Sequence, residues 1–101
     1  MKFEMITPVQ LERYVGDPDA LIIDLRTPAE YRERHIRGAV NAPYEKLQGN
    51  YMFPMDMSLI LYCERGASSM SAAKELAEKG YQVKTVVGGF RAYRGKMTET
   101  Y

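Results

Sequence analysis

At 101 residues, with 46% hydrophobic and 27% charged residues, the chain is long enough for one hydrophobic core and too short for two. A formal net charge of +1 and the absence of any basic cluster exclude a polyanion-tracking protein, so neither nucleic acid nor membrane is expected as a partner. The single cysteine excludes an internal disulfide and, with one histidine, excludes a zinc site; no metal and no cofactor are expected.

The start, Met1-Lys2-Phe3-Glu4-Met5, lacks the apolar core of a signal peptide, and no run reaches membrane-spanning length. The expected compartment is the cytoplasm. Phe3 to Ile6 reads as a first strand. Thr7-Pro8-Val9-Gln10 then starts a helix: Thr7 caps, Pro8 occupies a position whose N–H would be unpaired, and Gln10 closes a capping box. Leu11, Tyr14 and Val15 continue at helical spacing until Gly16-Asp17-Pro18 ends the segment.

Leu21-Ile22-Ile23-Asp24-Leu25 is a second, buried strand, and Thr27-Pro28-Ala29-Glu30 repeats the helix-start signal. That helix carries Tyr31 and Arg34 and stops near His35. Ala39-Val40-Asn41 is a short third strand, Pro43 to Leu47 a helical turn, and Gly49-Asn50 a turn. Tyr51 to Met57, interrupted by Pro54, is expected as a packed loop or short helix.

Leu59-Ile60-Leu61-Tyr62 is an unbroken apolar run, the pattern of a strand buried on both faces. Cys63 follows, then the loop Glu64-Arg65-Gly66-Ala67, and a helix from Ser68 to Lys79. Its expected buried face holds Met70, Ala73, Leu76 and Ala77, opposite Lys74, Glu75 and Glu78, with Gly80 as its stop. Gln82 to Val87 is the last strand. Gly88-Gly89 turns the chain into a helical segment from Phe90 to about Arg94, and 96–101 is expected as a loose tail. Strands alternating with helices predict a single α/β domain over 1–101, three-layer α/β/α, with a mostly parallel central sheet of about five strands.

Catalytic sites in such sheets lie beyond the carboxyl ends of the strands. Cys63 occupies such an end and faces a helix N-terminus, where unpaired N–H groups and the helix dipole favour negative charge. The dipole is worth about 0.3–1 kcal/mol at an exposed terminus and up to about 2 when partly buried. Cys63 is therefore the expected nucleophile. The small residues Gly66 and Ala67 let the loop curl closely around the sulfur.

Ile23-Asp24-Leu25-Arg26-Thr27-Pro28-Ala29-Glu30-Tyr31, continued by His35-Ile36-Arg37-Gly38-Ala39-Val40-Asn41-Ala42-Pro43, resembles the N-terminal signature of the rhodanese family. The cysteine loop with its helix resembles that family's active-site loop, and Val87-Gly88-Gly89-Phe90-Arg91-Ala92-Tyr93 resembles its C-terminal glycine-pair signature. All three stand in the family's order, and together they span nearly the whole chain. The resemblance implies a rhodanese-like fold and a sulfurtransferase in which Cys63 takes a sulfane sulfur as a persulfide. The donor would be thiosulfate or a low-molecular-weight persulfide, and the acceptor cyanide, a thiol or an acceptor protein. A monomer or weak dimer is expected.

Around Cys63, Glu64, Arg65, Gly66, Ala67, Ser68 and Ser69 are the expected substrate loop. Arg65 is either a solvated charge or an attractor for an anionic donor, and Glu64 beside it offsets that charge. Ser68 and Ser69 are expected to cap the helix. Asp24, Arg26 and Glu30 read as a structural charge cluster with a helix cap, because thiolate sulfur transfer needs no paired acids. The family's histidine is structural, and His35 is expected to hold the turn before Ile36. Gly88 and Gly89 are expected to form a tight turn against the active-site loop. The methionines, including Met52, Met55 and Met57, read as packing filler.

Three rival functions bear on this pattern. A Cys-x5-Arg phosphatase or arsenate reductase needs arginine six positions after the cysteine, where this chain has Ser69. A binding or persulfide-carrier module would share the fold. A redox sensor would lack a resolving cysteine within the chain.

Overall fold

The computed structural model describes residues 2–47, 49 and 52–100; Asn50, Tyr51 and Tyr101, which belong to the expected turn, loop and tail, lie outside them. Both Thr-Pro starts form as the side chains dictate. Thr7 and Thr27 each accept the N–H of the third helical residue, and Gln10 and Glu30 return the bond to the cap N–H. They open α1 (Pro8–Leu11), which runs on as a 3-10 turn (Glu12–Tyr14), and α2 (Pro28–Glu33). The remaining helices are α3 (Tyr44–Leu47) and α4 (Ala67–Glu78).

Five parallel strands form the sheet: β1 (Glu4–Ile6), β2 (Ala20–Asp24), β4 (Val40–Asn41), β5 (Ser58–Tyr62) and β6 (Gln82–Val86). Their order is β1-β6-β5-β2-β4, so the apolar run of β5 lies in the middle. Its alternation splits the core in two. Leu59 and Leu61 face Ala72, Ala73 and Leu76 of α4, while Ile60 and Tyr62 face Ile6, Leu11, Ile36 and Tyr93 on the other side. Each such side chain removed from water contributes about 1.5–3 kcal/mol, which seats β5 firmly between two helical layers. The domain is a three-layer α/β/α fold. Among the described residues no helix is long and apolar enough to cross a membrane.

Four local expectations change. The buried stripe of α4 is Ser69, Ala72, Ala73, Leu76 and Ala77, and Met70 is 42% exposed. Helical spacing places Met70 at the edge of that stripe, and Ser69, its hydroxyl bonded inside the fold, takes the buried position. The helix also starts one residue earlier than expected, at Ala67. The segment after Gly88-Gly89 is a single 3-10 turn, Phe90–Ala92, and not a helix reaching Arg94. Finally, the tail is not loose throughout. Thr98–Glu99 forms β7, antiparallel to the two-residue β3, His35–Ile36. Arg37 N–H donates to the Met97 carbonyl at 2.9 Å, and Gly38 N–H donates to the Glu99 carboxylate at 3.2 Å. Partners more than 60 residues apart leave no periodic trace in either segment.

Gly38 N–H, and after it His35, hold the Glu99 carboxyl below its ordinary range. A depressed carboxyl stabilises the fold above its ordinary pKa and loses that contribution as pH falls through the folded value. Glu99→Gln is therefore expected to lower the urea midpoint at about pH 5 and to lower it by less at about pH 3. A difference of equal size at both pH values would refute this role for Glu99.

Candidate active site

The loop between β5 and α4 brings backbone donors onto one sulfur. Gly66, at φ +106°, occupies the position before the first residue of α4 and offers no side chain to cap it. Cys63 takes over that task. Its Sγ accepts Gly66 N–H at 3.0 Å and Ser69 N–H at 3.3 Å, the latter being the third helical donor that a serine or threonine cap ordinarily satisfies. Ser68 and Ser69 accordingly do not cap the helix, contrary to expectation. The Ser69 hydroxyl is buried, donating to the Gly66 carbonyl at 3.2 Å and accepting from the Thr85 hydroxyl at 2.8 Å.

Cys63 is 6% exposed, packed on one side against the α4 core. On the other side it lines a cavity of about 290 Å³ together with Leu25, Arg26, Thr27, Pro43, Tyr44, Glu64 and Ser68. The sulfur thus lies at the edge of a mostly apolar mouth, with the Gly66 and Ser69 N–H groups behind it. Ala67 and Arg65 are exposed and line a separate groove with Met5, Met70 and Val87. Arg65 is in no ion pair among the described residues and is not part of the Cys63 cavity.

The glycine pair clamps the start of this loop. Phe90 N–H donates to the Cys63 carbonyl at 2.8 Å, and Arg91 N–H donates to the Glu64 carbonyl at 3.0 Å. A Cβ on Gly89 (φ +67°) would stand 2.5 Å from the Cys63 carbonyl oxygen, so only glycine fits. Gly88 also packs on this loop, less tightly: a Cβ on Gly66 would lie 3.4 Å from the Gly88 nitrogen.

Asp24 and Arg26 form a buried frame beside the cavity. Arg26 Nε and Nη2 grip Asp24 at 3.1 and 2.8 Å, and Asp24 also accepts Arg26 N–H at 2.8 Å. The guanidinium bonds the Arg34 carbonyl at 2.5 Å, stacks 4.2 Å from the Phe90 ring centre and approaches Glu64 at 3.6 Å. Burial opposes its charge, but the hydrogen bond and attraction to Asp24 win and raise its pKa. Burial first, and then Asp24, push the Tyr62 phenol up, so it stays neutral while accepting Ile36 N–H at 3.0 Å. Removing either member of the Asp24–Arg26 pair would leave a buried charge uncompensated, at about 3–5 kcal/mol. His35 lies outside the cavity lining, stacked at 3.7 Å on Tyr31, with Nδ1 at 2.6 Å from the Tyr31 carbonyl and Nε2 at 3.1 Å from Glu99. Asp24 and Arg26 are thus tied to each other in the wall of the cavity, and His35 is tied to Tyr31 and Glu99 away from it.

Two supporting residues escape sequence reasoning. Asn41 donates to the Asp24 and Arg26 carbonyls at 3.0 and 2.9 Å, holding the loop after β2. Thr85 lies on the same strand face as Val83, and a polar residue at a core-facing position is the signal that could have found it.

A family model for the rhodanese-like domain matches residues 7–96. The chain is 32% identical over 97 residues to the thiosulfate sulfurtransferase GlpE of Coxiella burnetii, covering 93% of this chain and 90% of that one. The crystal structure of reduced Bacillus anthracis CoADR-RHD is similar with a TM-score of 0.82 and 33% identity, over 90% of this chain and 16% of that chain. A rhodanese-like domain protein from Staphylococcus aureus shares the fold with a TM-score of 0.85 at 23% identity, over 98% of this chain and 99% of that one.

Thr85→Val removes the donor behind Ser69 at nearly constant shape. It is expected to cost about 1 kcal/mol in urea unfolding and to slow alkylation of Cys63 by iodoacetamide, while Thr85→Ser restores both. Unchanged alkylation in Thr85→Val would mean that the amides hold the sulfur without help from the hydroxyl pair.

Proposed function

The chain belongs to the rhodanese-like domain family, and from that membership we propose that it is a sulfurtransferase working through a persulfide on Cys63. The observation that carries this reading is the pair of N–H groups, from Gly66 and Ser69, directed at Cys63 Sγ at the edge of an open cavity. A thiolate held there attacks the outer sulfur of thiosulfate. A sulfur–sulfur bond forms to Cys63, the bond within thiosulfate breaks, and sulfite leaves with the electron pair. A low-molecular-weight persulfide serves equally, with its thiolate as leaving group. In the second half, cyanide or a thiolate attacks the outer sulfur of the Cys63 persulfide, and the electron pair returns to Cys63. No net oxidant is needed, and the same backbone donors serve thiolate and persulfide without side-chain rearrangement.

The curated relative in Coxiella burnetii is named for thiosulfate, which supports thiosulfate as a donor for this chain. The mostly apolar mouth also suits a donor with a carbon tail, and an acceptor protein could present a thiol there. A lone thiol that must stay reduced between turnovers suits a reducing compartment such as the cytosol. Phosphoryl transfer is disfavoured because the position six after Cys63 holds Ser69, buried against Thr85, where a guanidinium would have to clamp phosphate.

Incubation with thiosulfate is expected to add the mass of one sulfur atom to the intact protein, mapped to Cys63 and removed by cyanide. Cys63→Ser is expected to keep the unfolding free energy within about 1 kcal/mol and to lose both sulfur loading and turnover. A folded parent that gains no sulfur from thiosulfate or a persulfide would point instead to a binding module.

A further inference from the structure

A second cavity, of about 390 Å³, adjoins the one at Cys63, and the two share Arg26, Glu30 and Glu64 in their walls. Several of its charges are already committed. Arg26 is gripped by Asp24 and faces Glu64. Glu30 is tied to the Thr27 N–H and hydroxyl, each at 3.0 Å. Arg34, Arg91 and Arg94 remain, exposed and in no ion pair among the described residues, against the single free carboxylate of Glu33.

These guanidiniums are partly pre-positioned. Arg34 lies over the Phe90 ring at 5.1 Å, on the ring that Arg26 also stacks against, and its carbonyl is held by Arg26. Arg94 is anchored through the Arg91 carbonyl at 2.7 Å. Three guanidiniums without an ion-pair partner among the described residues line this cavity, Arg34 over the Phe90 ring and Arg94 bonded through one nitrogen to backbone carbonyls. Together they form a receptor for oxyanions, because guanidinium pairs with carboxylate in bidentate fashion. The neighbouring Glu30, Glu33 and Glu64 weigh against a compact dianion such as phosphate and favour separated carboxylates.

We propose that this second cavity seats the carboxylate end of an acidic thiol acceptor whose sulfur reaches the Cys63 persulfide across the Arg26–Glu64 wall. The proposal rests on the sulfur-transfer reading and assigns the acceptor's class. The thiolate attacks the outer persulfide sulfur, leaves as a new persulfide, and returns the electron pair to Cys63. The arginines touch only the distal carboxylates, so they set affinity and leave the chemical step alone.

The test compares mercaptosuccinate, which carries two carboxylates, with uncharged 2-mercaptoethanol as acceptors from Cys63 loaded by thiosulfate. In Arg34→Gln/Arg91→Gln/Arg94→Gln, the ratio of kcat/KM for the two thiols is expected to fall about tenfold, through KM for mercaptosuccinate. Comparing ratios cancels each thiol's own nucleophilicity. Raised salt should shrink the parent's ratio towards that of the variant. Arg91→Gln alone should give an intermediate value. If Cys63 loads with sulfur but the ratio is the same in parent and triple variant, the acceptor site is overturned and sulfur transfer stands. If Cys63 takes up no sulfur, the transfer reading and the acceptor role fall together.

Discussion

The first turn of an α-helix leaves N–H groups without partners inside the helix, and in this protein a sulfur atom accepts one of them. Gly66 precedes α4 without a capping side chain, and Cys63 Sγ receives the N–H of Ser69 together with that of Gly66. Helix termination and sulfur chemistry are therefore one arrangement. The donors that would otherwise bind a serine or threonine oxygen are spent on an atom that the proposed reaction takes from thiolate to persulfide. Because those donors belong to backbone, they do not need to reorient as the sulfur changes state.

Such a cradle works only if the loop cannot relax. It is held from three directions by groups distant in sequence. The turn after β6 bonds the Cys63 and Glu64 carbonyls through Phe90 and Arg91. Thr85, buried on β6, bonds Ser69 and through it the Gly66 carbonyl. The Asp24–Arg26 pair fixes the end of β2 and meets Glu64 from the opposite side. The charged pair, bonded to itself and to the Arg34 carbonyl, contributes a rigid wall beside the sulfur. Phe90 joins these supports, since Arg26 stacks on it while its N–H holds the cysteine carbonyl.

Legibility followed the range of the physical cause. Both capping boxes, the buried run of β5, the cysteine at its carboxyl end and the glycine pair are dictated within a few residues, and each is found where local chemistry places it. Ser69 was misread as a cap because serine near a helix start ordinarily caps, and only the position of Thr85 across the sheet shows where its hydroxyl goes. The Thr98–Glu99 strand and the placement of His35 against Glu99 were likewise hidden, since their bonds join segments at opposite ends of the chain.

By itself the sequence determined the alternation of strands and helices, the central strand and the cysteine that follows it, because hydrophobic period, capping and turn chemistry act over one or two helical turns. Only the tertiary structure decided which amides face the sulfur, that Arg65 lines a different groove from Cys63, and that Arg34, Arg91 and Arg94 share one cavity. Those outcomes depend on how α2, β5 and the turn after β6 approach one another in space, and no local pattern encodes that meeting.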